Sequence, residues 1–451
     1  MIGARVDRES SGSLSARRPV PVRSALGLLA AAPAGDLRPT FFWRDEDGVV
    51  IGLGEAERVE ASGPARLARV EAELEARVRA RPELVSSRWF GGFSFEDEIA
   101  PGPFAPFGSV RFVRPRFAWT LDRSGTRAAI TGDPYVSASE WAEVLDWATS
   151  AVEEPRPLAA GSAEVEAVDP VRWQHALEAA FAAFAAGSAQ KIVLSRDLIV
   201  RRRGGFPPAA VLAGLPARSS AEAAFAFFAE REIGPAGLED VLSTRREACF
   251  LGLTPERLLR VEPGRVRSEA LAGTSSPTDP DGLALLESDK DREEHAYVVE
   301  HLRERIARFA AGPVQVPSAP SVRRLGTIAH LLTPIEARSA STPPILSLAE
   351  SLHPSPAVGG VPLGTARDVI RTAENRPRGW YSGGVGWLEL GPKGPQRGEL
   401  RVALRSALLD GREARVSVGA GVVPASTVEG EWRETALKAR RTLLALGGRV
   451  D

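Results

Sequence analysis

The strongest constraint on this chain is a succession of helix and strand signals downstream of residue 169. Asp169-Pro170 can cap and start a helix, and Gly187 suits its C-terminal stop. Lys191-Ile192-Val193-Leu194-Ser195 then reads as an apolar strand. Helix followed by strand, repeatedly, requires sheet and helix layers around a shared core, in an α+β or α/β architecture. With 43% apolar residues in 451, the chain can fill one large core or two ordinary ones.

Upstream the pattern is mixed. Residues 1–20 are polar and rich in Ser and Arg, and are expected to be a disordered lead-in. Ala25 to Ala32 is apolar behind Arg17, Arg18 and Arg23; it reads as a short helix or a flexible lead-in rather than a signal peptide. Phe41-Phe42-Trp43 and Val49 to Leu53 form a hairpin pattern around Asp45 to Gly48. Residues 64–80 read as a helix, Trp89 to Phe95 as a glycine-rich strand, 152–168 as an acidic connector and 202–245 as irregular. The N-terminal part is therefore placed at 21–160, ahead of a second part at 161–451.

Charge excludes some functions. The 57 basic and 58 acidic residues leave a net charge of -1, which gives no case for binding nucleic acid or an anionic membrane. No apolar run is long enough for a transmembrane helix. One cysteine, Cys249, can form neither an internal disulfide nor a thiolate cluster, and five scattered histidines have no zinc-ligand spacing.

Carboxylates stand where core residues are expected on two helices. One runs from about Ser288 to Phe309 and aligns Asp291, Glu294, Val298 and Leu302 on one stripe. The other begins near Thr427, with Ser426 and Glu429 at capping-box spacing and Glu431, Glu434 and Lys438 on one face. Inward carboxylates without Cys or His suit a hard divalent cation. Spacing alone fits solvated acids near helix N-termini better, because the helix dipole favours them there.

Lys191 opens an apolar strand. Pointing inward it is a buried amine with a lowered pKa and a general base; by itself it reads as a solvated edge-strand lysine. Glu256 follows an apolar strand and a Thr-Pro turn. It can stay protonated and act as an acid, or form a surface pair with Arg257. Gly419-Ala420-Gly421 reads as a turn whose N–H groups can hold a carboxylate, and Arg405 can grip a second carboxylate bidentately. Tight-turn glycines and a surface arginine fit both segments as well. His353 to Gly360 reads as a rigid loop, either a ligand wall or a connector.

In order, KIVLSR from Lys191, FLGLTPERLL from Phe250, SEALAGT from Ser268, DREEHAYVVEHL from Asp291, IAHLLTPI from Ile328, LHPSPAVGGVP from Leu352, RGWYSGGVGW from Arg378, GELRVALRSALL from Gly398 and GAGVVPASTVEGEWRETALKAR from Gly419 resemble the chorismate-binding family of isochorismate, salicylate, anthranilate and aminodeoxychorismate synthases. These segments span most of residues 170–445, and FGGFSF from Phe90 extends the likeness faintly upstream. The resemblance implies an α+β fold, one large domain of two packed β-sheets with helices outside and a cleft between them. It implies magnesium on Glu294 and Glu434, supported by Asp291 and Glu431. It places a ring carboxylate near Gly419, Ala420, Gly421 and Lys438, an enolpyruvyl carboxylate on Tyr381 and Arg405, and the ring against Gly273, Thr274, His330 and Ser355.

The family divides by nucleophile. Its amine-forming branches carry glutamine where this chain has Lys191, and a neutral amide cannot deprotonate water. The resemblance therefore implies an isomerase, an isochorismate synthase, with Lys191 as base and Glu256 as acid. Water adds at ring C2 and the C4 hydroxyl leaves. Ala272 stands where the aminodeoxychorismate branch carries a lysine. Salicylate synthesis, in which pyruvate is then eliminated, and a non-catalytic chorismate-binding role are the alternatives. SEALAGT and LTPERLL lean to the menaquinone branch over the siderophore branch. A cytoplasmic monomer without an amidotransferase subunit goes with this reading. Two departures stand out: Thr427-Val428-Glu429 replaces the usual Asp-Pro-Glu, and the chain is longer near 234–246, as a surface loop.

Overall fold

Alternation along the strands determines the layering. In the hairpin strand Pro39–Asp45, Phe41 and Trp43 enter one core while Phe42 enters another. In Ala223–Glu232, Phe225 and Phe227 take the first side, and Ala224, Ala226 and Phe228 the second. In Gly384–Gly391, Val385 and Trp387 face the same aromatic core, whereas Leu388 and Leu390 face a third. A period of two with both faces apolar means sheets covered on both sides. The aromatic core of Phe41, Trp43, Phe90, Phe225, Phe227, Phe250 and Trp380 lies between two sheet layers. Helices cover the outer faces: Arg66–Ala80, Pro170–Ala185, Asp289–Ala307, Ile345–Leu352 and Leu363–Glu374 on one layer. Ala25–Ala30, Ala138–Thr149, Pro208–Ala213 and Val428–Ala445 cover the other.

This computed structural model describes residues 16–166, 169–215, 219, 221–232, 245–275, 279, 281–325 and 328–449. One layer runs, by antiparallel pairing, through Ser321–Leu325, Ile328–Arg338, Arg265–Ala272, Arg257–Glu262, Gly394–Val402, Gly384–Gly391 and Arg88–Phe93. The other runs through Pro39–Asp45, Ala223–Glu232, Arg245–Thr254, Ser406–Asp410, Glu413–Val422 and Lys191–Arg201. Two long strands, Gly48–Ala61 and Val110–Asp122, belong to both, with a register shift at Glu55/Glu57 between their two halves. The two expected layers are thus halves of one hydrogen-bonded network.

Several local expectations are corrected. Ala16–Val20, placed in the disordered lead-in, is an edge strand against Ala128–Gly132; its backbone is paired while its polar side chains stay in solvent. Residues 1–15 lie outside the described residues. The stretch 202–245 holds a helix and the strand Ala223–Glu232, which is central and buried on both faces and so carries no polar alternation. The longer loop expected near 234–246 falls largely on 233–244, outside the described residues. The connector has a short strand at Glu164–Val165, and its residues 167 and 168 are also outside the described set. The last helix is capped by Thr427, whose side chain accepts from Gly430 N, and not by Ser426, whose hydroxyl accepts from Val423 N.

Candidate active site

A cavity opens where the two layers meet. Its wall includes Val193, Glu256, Gly273, Thr274, Glu294, His330, Arg378, Tyr381, Arg405, Gly419, Gly421 and Lys438. Strand parity builds one side. Lys191, Val193 and Ser195 share a face of their strand, and Gly419 and Gly421 lie opposite Ser195 and Val193 in the neighbouring strand. Gly419-Ala420-Gly421 is therefore strand, not the expected turn: large apolar residues at 416, 418 and 422 alternate with small ones at 417, 419 and 421. Beyond Val416, the pairing described for this strand is with Lys191–Arg201 alone, so its other edge carries backbone groups towards the cavity side. Ala420 is buried on the opposite face. A Cβ on Gly421 would collide with the Glu294 carboxylate, so only glycine leaves that group its place.

Lys191 is fully buried, and its Nζ lies 2.9 Å from Glu294 Oε1. The angle between them makes this an ion pair and not a hydrogen bond. Glu294 rides the helix Asp289–Ala307, whose Val298, Leu302 and Ile306 anchor it in the core so that the same stripe carries Glu294 and Asp291 towards the cavity. Ser288 caps this helix by accepting from Asp291 N. The opposing helix presents Glu434, which Lys438 holds as an ion pair, and the buried Glu431, which lies 3.2 Å from Lys290 Nζ. Burial and then Glu434 raise the Glu431 carboxyl; burial also raises Asp291. For Glu434, Lys438 overcomes burial and the net shift is downward.

Four carboxylates from two helices form an all-oxygen donor set, which fits a hard divalent cation. Glu431 Oε2 is buried with no hydrogen-bond partner, so lone pairs remain free in the set. As the side chains stand, no three acidic, histidine or cysteine groups among the described residues converge at metal-ligand distance. Lys191, Lys290 and Lys438 each draw one carboxylate aside.

Glu256 sits in the turn between Arg245–Thr254 and Arg257–Glu262, buried at the cavity wall. Burial, opposed by Lys191, pushes its carboxyl up to about 8, so it is protonated at neutral pH. It does not pair with Arg257, which binds Glu46, Glu269 and Glu399. His330 Nδ1 lies 2.6 Å from Gly273 O and must donate to it. Nε2 then carries the lone pair and accepts from Arg405 Nη2 at 3.1 Å. Burial keeps this imidazole well below its usual range, in keeping with a neutral ring. Arg405 has φ of 52°, a left-handed conformation that is costly for a side chain of this size and that occurs often at functional sites. Burial pushes the Tyr381 hydroxyl up to about 12, and it abuts Gly419.

Of the sequence candidates, Lys191, Asp291, Ala420, Glu431 and Glu434 lie behind the cavity wall, and Ser355 is not in it either; the Ser355 hydroxyl accepts from Ala357 N, and Ala357 and Val358 line the cavity instead. A short polar side chain in a tight loop binds its own backbone first. Sequence reasoning missed Arg378, which is 1% exposed and donates to Val193 O and Val358 O, both at 2.7 Å. Glu374, four residues earlier on the preceding helix, holds that guanidinium and also accepts from Ser195 N. Their i,i+4 spacing was the available signal. A wider cleft beside Trp43, Tyr135 and Trp387 lies apart from these groups, and its Arg88 and Arg114 are already paired with Glu389 and Asp133.

Comparison with known proteins identifies the family and the fold. Residues 4–447 match the family described as chorismate binding enzyme. A salicylate biosynthesis isochorismate synthase of Pseudomonas aeruginosa is 32% identical over 91% of this chain and 86% of its own length. An isochorismate synthase of Bacillus subtilis is 27% identical over 90% and 88%. The solved menaquinone-specific isochorismate synthase of Escherichia coli superposes with a TM-score of 0.73 at 26% identity, covering 96% of this chain and 94% of that one. Anthranilate synthase component I of Streptococcus pneumoniae, at 18% identity and TM-score 0.63 over 98% and 95%, shares the fold.

Proposed function

This chain belongs to the chorismate-binding enzyme family, and on that premise we propose that it is an isochorismate synthase, an isomerase that adds water at C2 of chorismate and releases the C4 hydroxyl. The observation that carries the reading is a pair of buried groups of opposite task within electrostatic reach. Lys191 supplies an amine where a water-adding enzyme needs a base, and Glu256 supplies a carboxyl held protonated where it needs an acid.

In this reading Lys191 takes a proton from the attacking water, and Glu256 gives its proton to the departing C4 oxygen. The proton inventory then balances, and the groups exchange roles in the reverse direction. Arg405 and Tyr381 hold the enolpyruvyl carboxylate, with His330 fixing the guanidinium through its lone pair. Gly273 and Thr274 bound the ring. Lys438 and the open backbone edge at Gly419 and Gly421 receive the ring carboxylate. A magnesium ion on Glu294 and Glu434, backed by Asp291 and Glu431, would neutralise that ring carboxylate and draw Glu294 away from Lys191. Within the described residues no helix is long and apolar enough to cross a membrane. A cytoplasmic monomer without an amidotransferase subunit belongs to the same proposal.

The test is chromatography of purified protein with chorismate, with magnesium and after chelation, in the absence of ammonia. A magnesium-dependent mixture of chorismate and isochorismate that stops changing is expected. Steady release of salicylate and pyruvate would move the assignment to salicylate synthesis. Bound but unconverted chorismate would leave a binding protein.

A further inference from the structure

The turn that carries Glu256 is held from behind by residues outside the cavity wall. Thr254 Oγ1 donates to Val402 O, and Val402 N donates to Glu256 O. These bonds fix the main chain but leave both flanks of the turn to be fixed by side chains. On one flank, Arg257 lies 2.9 Å from Glu269 Oε1. On the other, Arg323 Nη1 lies 2.6 Å from Glu269 Oε2 and donates at 3.3 Å to Pro255 O. Glu269 thus uses both oxygens, one towards each neighbour of Glu256. It comes from the strand Arg265–Ala272, while Arg323 comes from Ser321–Leu325, so the clamp joins elements distant in sequence.

The charges around Glu256 come from four elements: Lys191 from its strand, Lys438 from the last helix, Arg405 from the loop after Gly394–Val402, and Glu269. Three are cations, which favour loss of the Glu256 proton, and Glu269 is the anion that opposes them. We propose that Glu269 is a positioning residue for the acid: one carboxylate, gripped by Arg257 and Arg323, holds both flanks of the Glu256 turn and places a fixed negative charge behind it. This rests on the reading of Glu256 as the acid.

The test is an infrared titration of the full chain, following the protonated-carboxyl band assigned by its loss in Glu256→Gln. It is run on wild type, Glu269→Gln and Glu269→Asp, beside their pH–rate profiles. Glutamine keeps the shape and removes the charge, while Arg257 retains Glu46 and Glu399, so the turn stays folded. The Glu256 midpoint is expected to fall by about one pH unit in Glu269→Gln, the size of a neighbouring like charge removed. The alkaline limb of kcat should follow it, and Glu269→Asp should restore most of both. An unchanged midpoint in folded Glu269→Gln overturns the inference. A midpoint that moves while the alkaline limb stays put would instead refute Glu256 as the acid, and with it the catalytic role of Glu269, leaving only its electrostatic hold on the Glu256 turn.

Discussion

Replacing Lys191 by glutamine tests the chemistry with the least disturbance. Lys191 is fully buried, and the neighbouring groups offer no equivalent base. Glu256 is protonated near neutrality, and the His330 lone pair is occupied by Arg405. Glu294, 2.9 Å from the amine, is already committed to it as an ion pair. General-base catalysis contributes about 10²–10⁴-fold, which corresponds to about 3–5 kcal/mol of barrier. Glutamine, one atom shorter, removes the basic amine but leaves a neutral polar group on the Glu294 side of the strand, so the fold and chorismate affinity should survive. Initial rates of isochorismate formation by chromatography, with chorismate affinity by calorimetry, separate the two effects. Loss of kcat by at least about 100-fold with affinity within about threefold is expected. More than about a tenth of wild-type turnover would refute the assignment of Lys191.

Glu256→Gln should abolish turnover yet stabilise the protein at alkaline pH. A carboxyl raised from 4.5 to about 8 gives stability that is fully present below pH 4.5 and lost as pH rises through 8. The variant is expected to match wild type in denaturant unfolding at pH 5 and to exceed it at pH 8.5 by about 2–4 kcal/mol at most; equal stability at both would contradict the burial argument. Arg405→Gln removes a charge-assisted contact worth about 1.5–3 kcal/mol, so chorismate KM should rise about 10- to 100-fold with a smaller change in kcat. Gly421→Ala puts a methyl group against the Glu294 carboxylate, and the expected result is loss of turnover with a melting temperature within a few degrees of wild type.

Much of this architecture was legible because its signals are local. Asp169-Pro170 and Gly187 do bound the helix Pro170–Ala185, and Lys191 opens a strand whose next residues, Ile192 to Leu194, are apolar because both faces are buried there. The stripe from Asp291 to Leu302 lies on one helix face, as the three–four spacing requires. Errors arose where context overrides local pattern. Gly419 and Gly421 look like turn residues but are strand positions kept small for the groups facing them. Ala223–Glu232 looked irregular because a central strand with two buried faces has no polar period. Ser426 had the spacing of a cap, yet Thr427 takes that place. The clamp of Glu269 on Arg257 and Arg323 joins partners 12 and 54 residues away, so no spacing rule could have found it.

The most direct measurement is conversion of chorismate in ¹⁸O-labelled water, with the product identified by chromatography and its mass read at early times. If Lys191 activates water and Glu256 releases the C4 hydroxyl, the product is isochorismate carrying one oxygen from solvent, and folded Lys191→Gln makes almost none. Unlabelled isochorismate, or equal labelling by Lys191→Gln, would contradict the account.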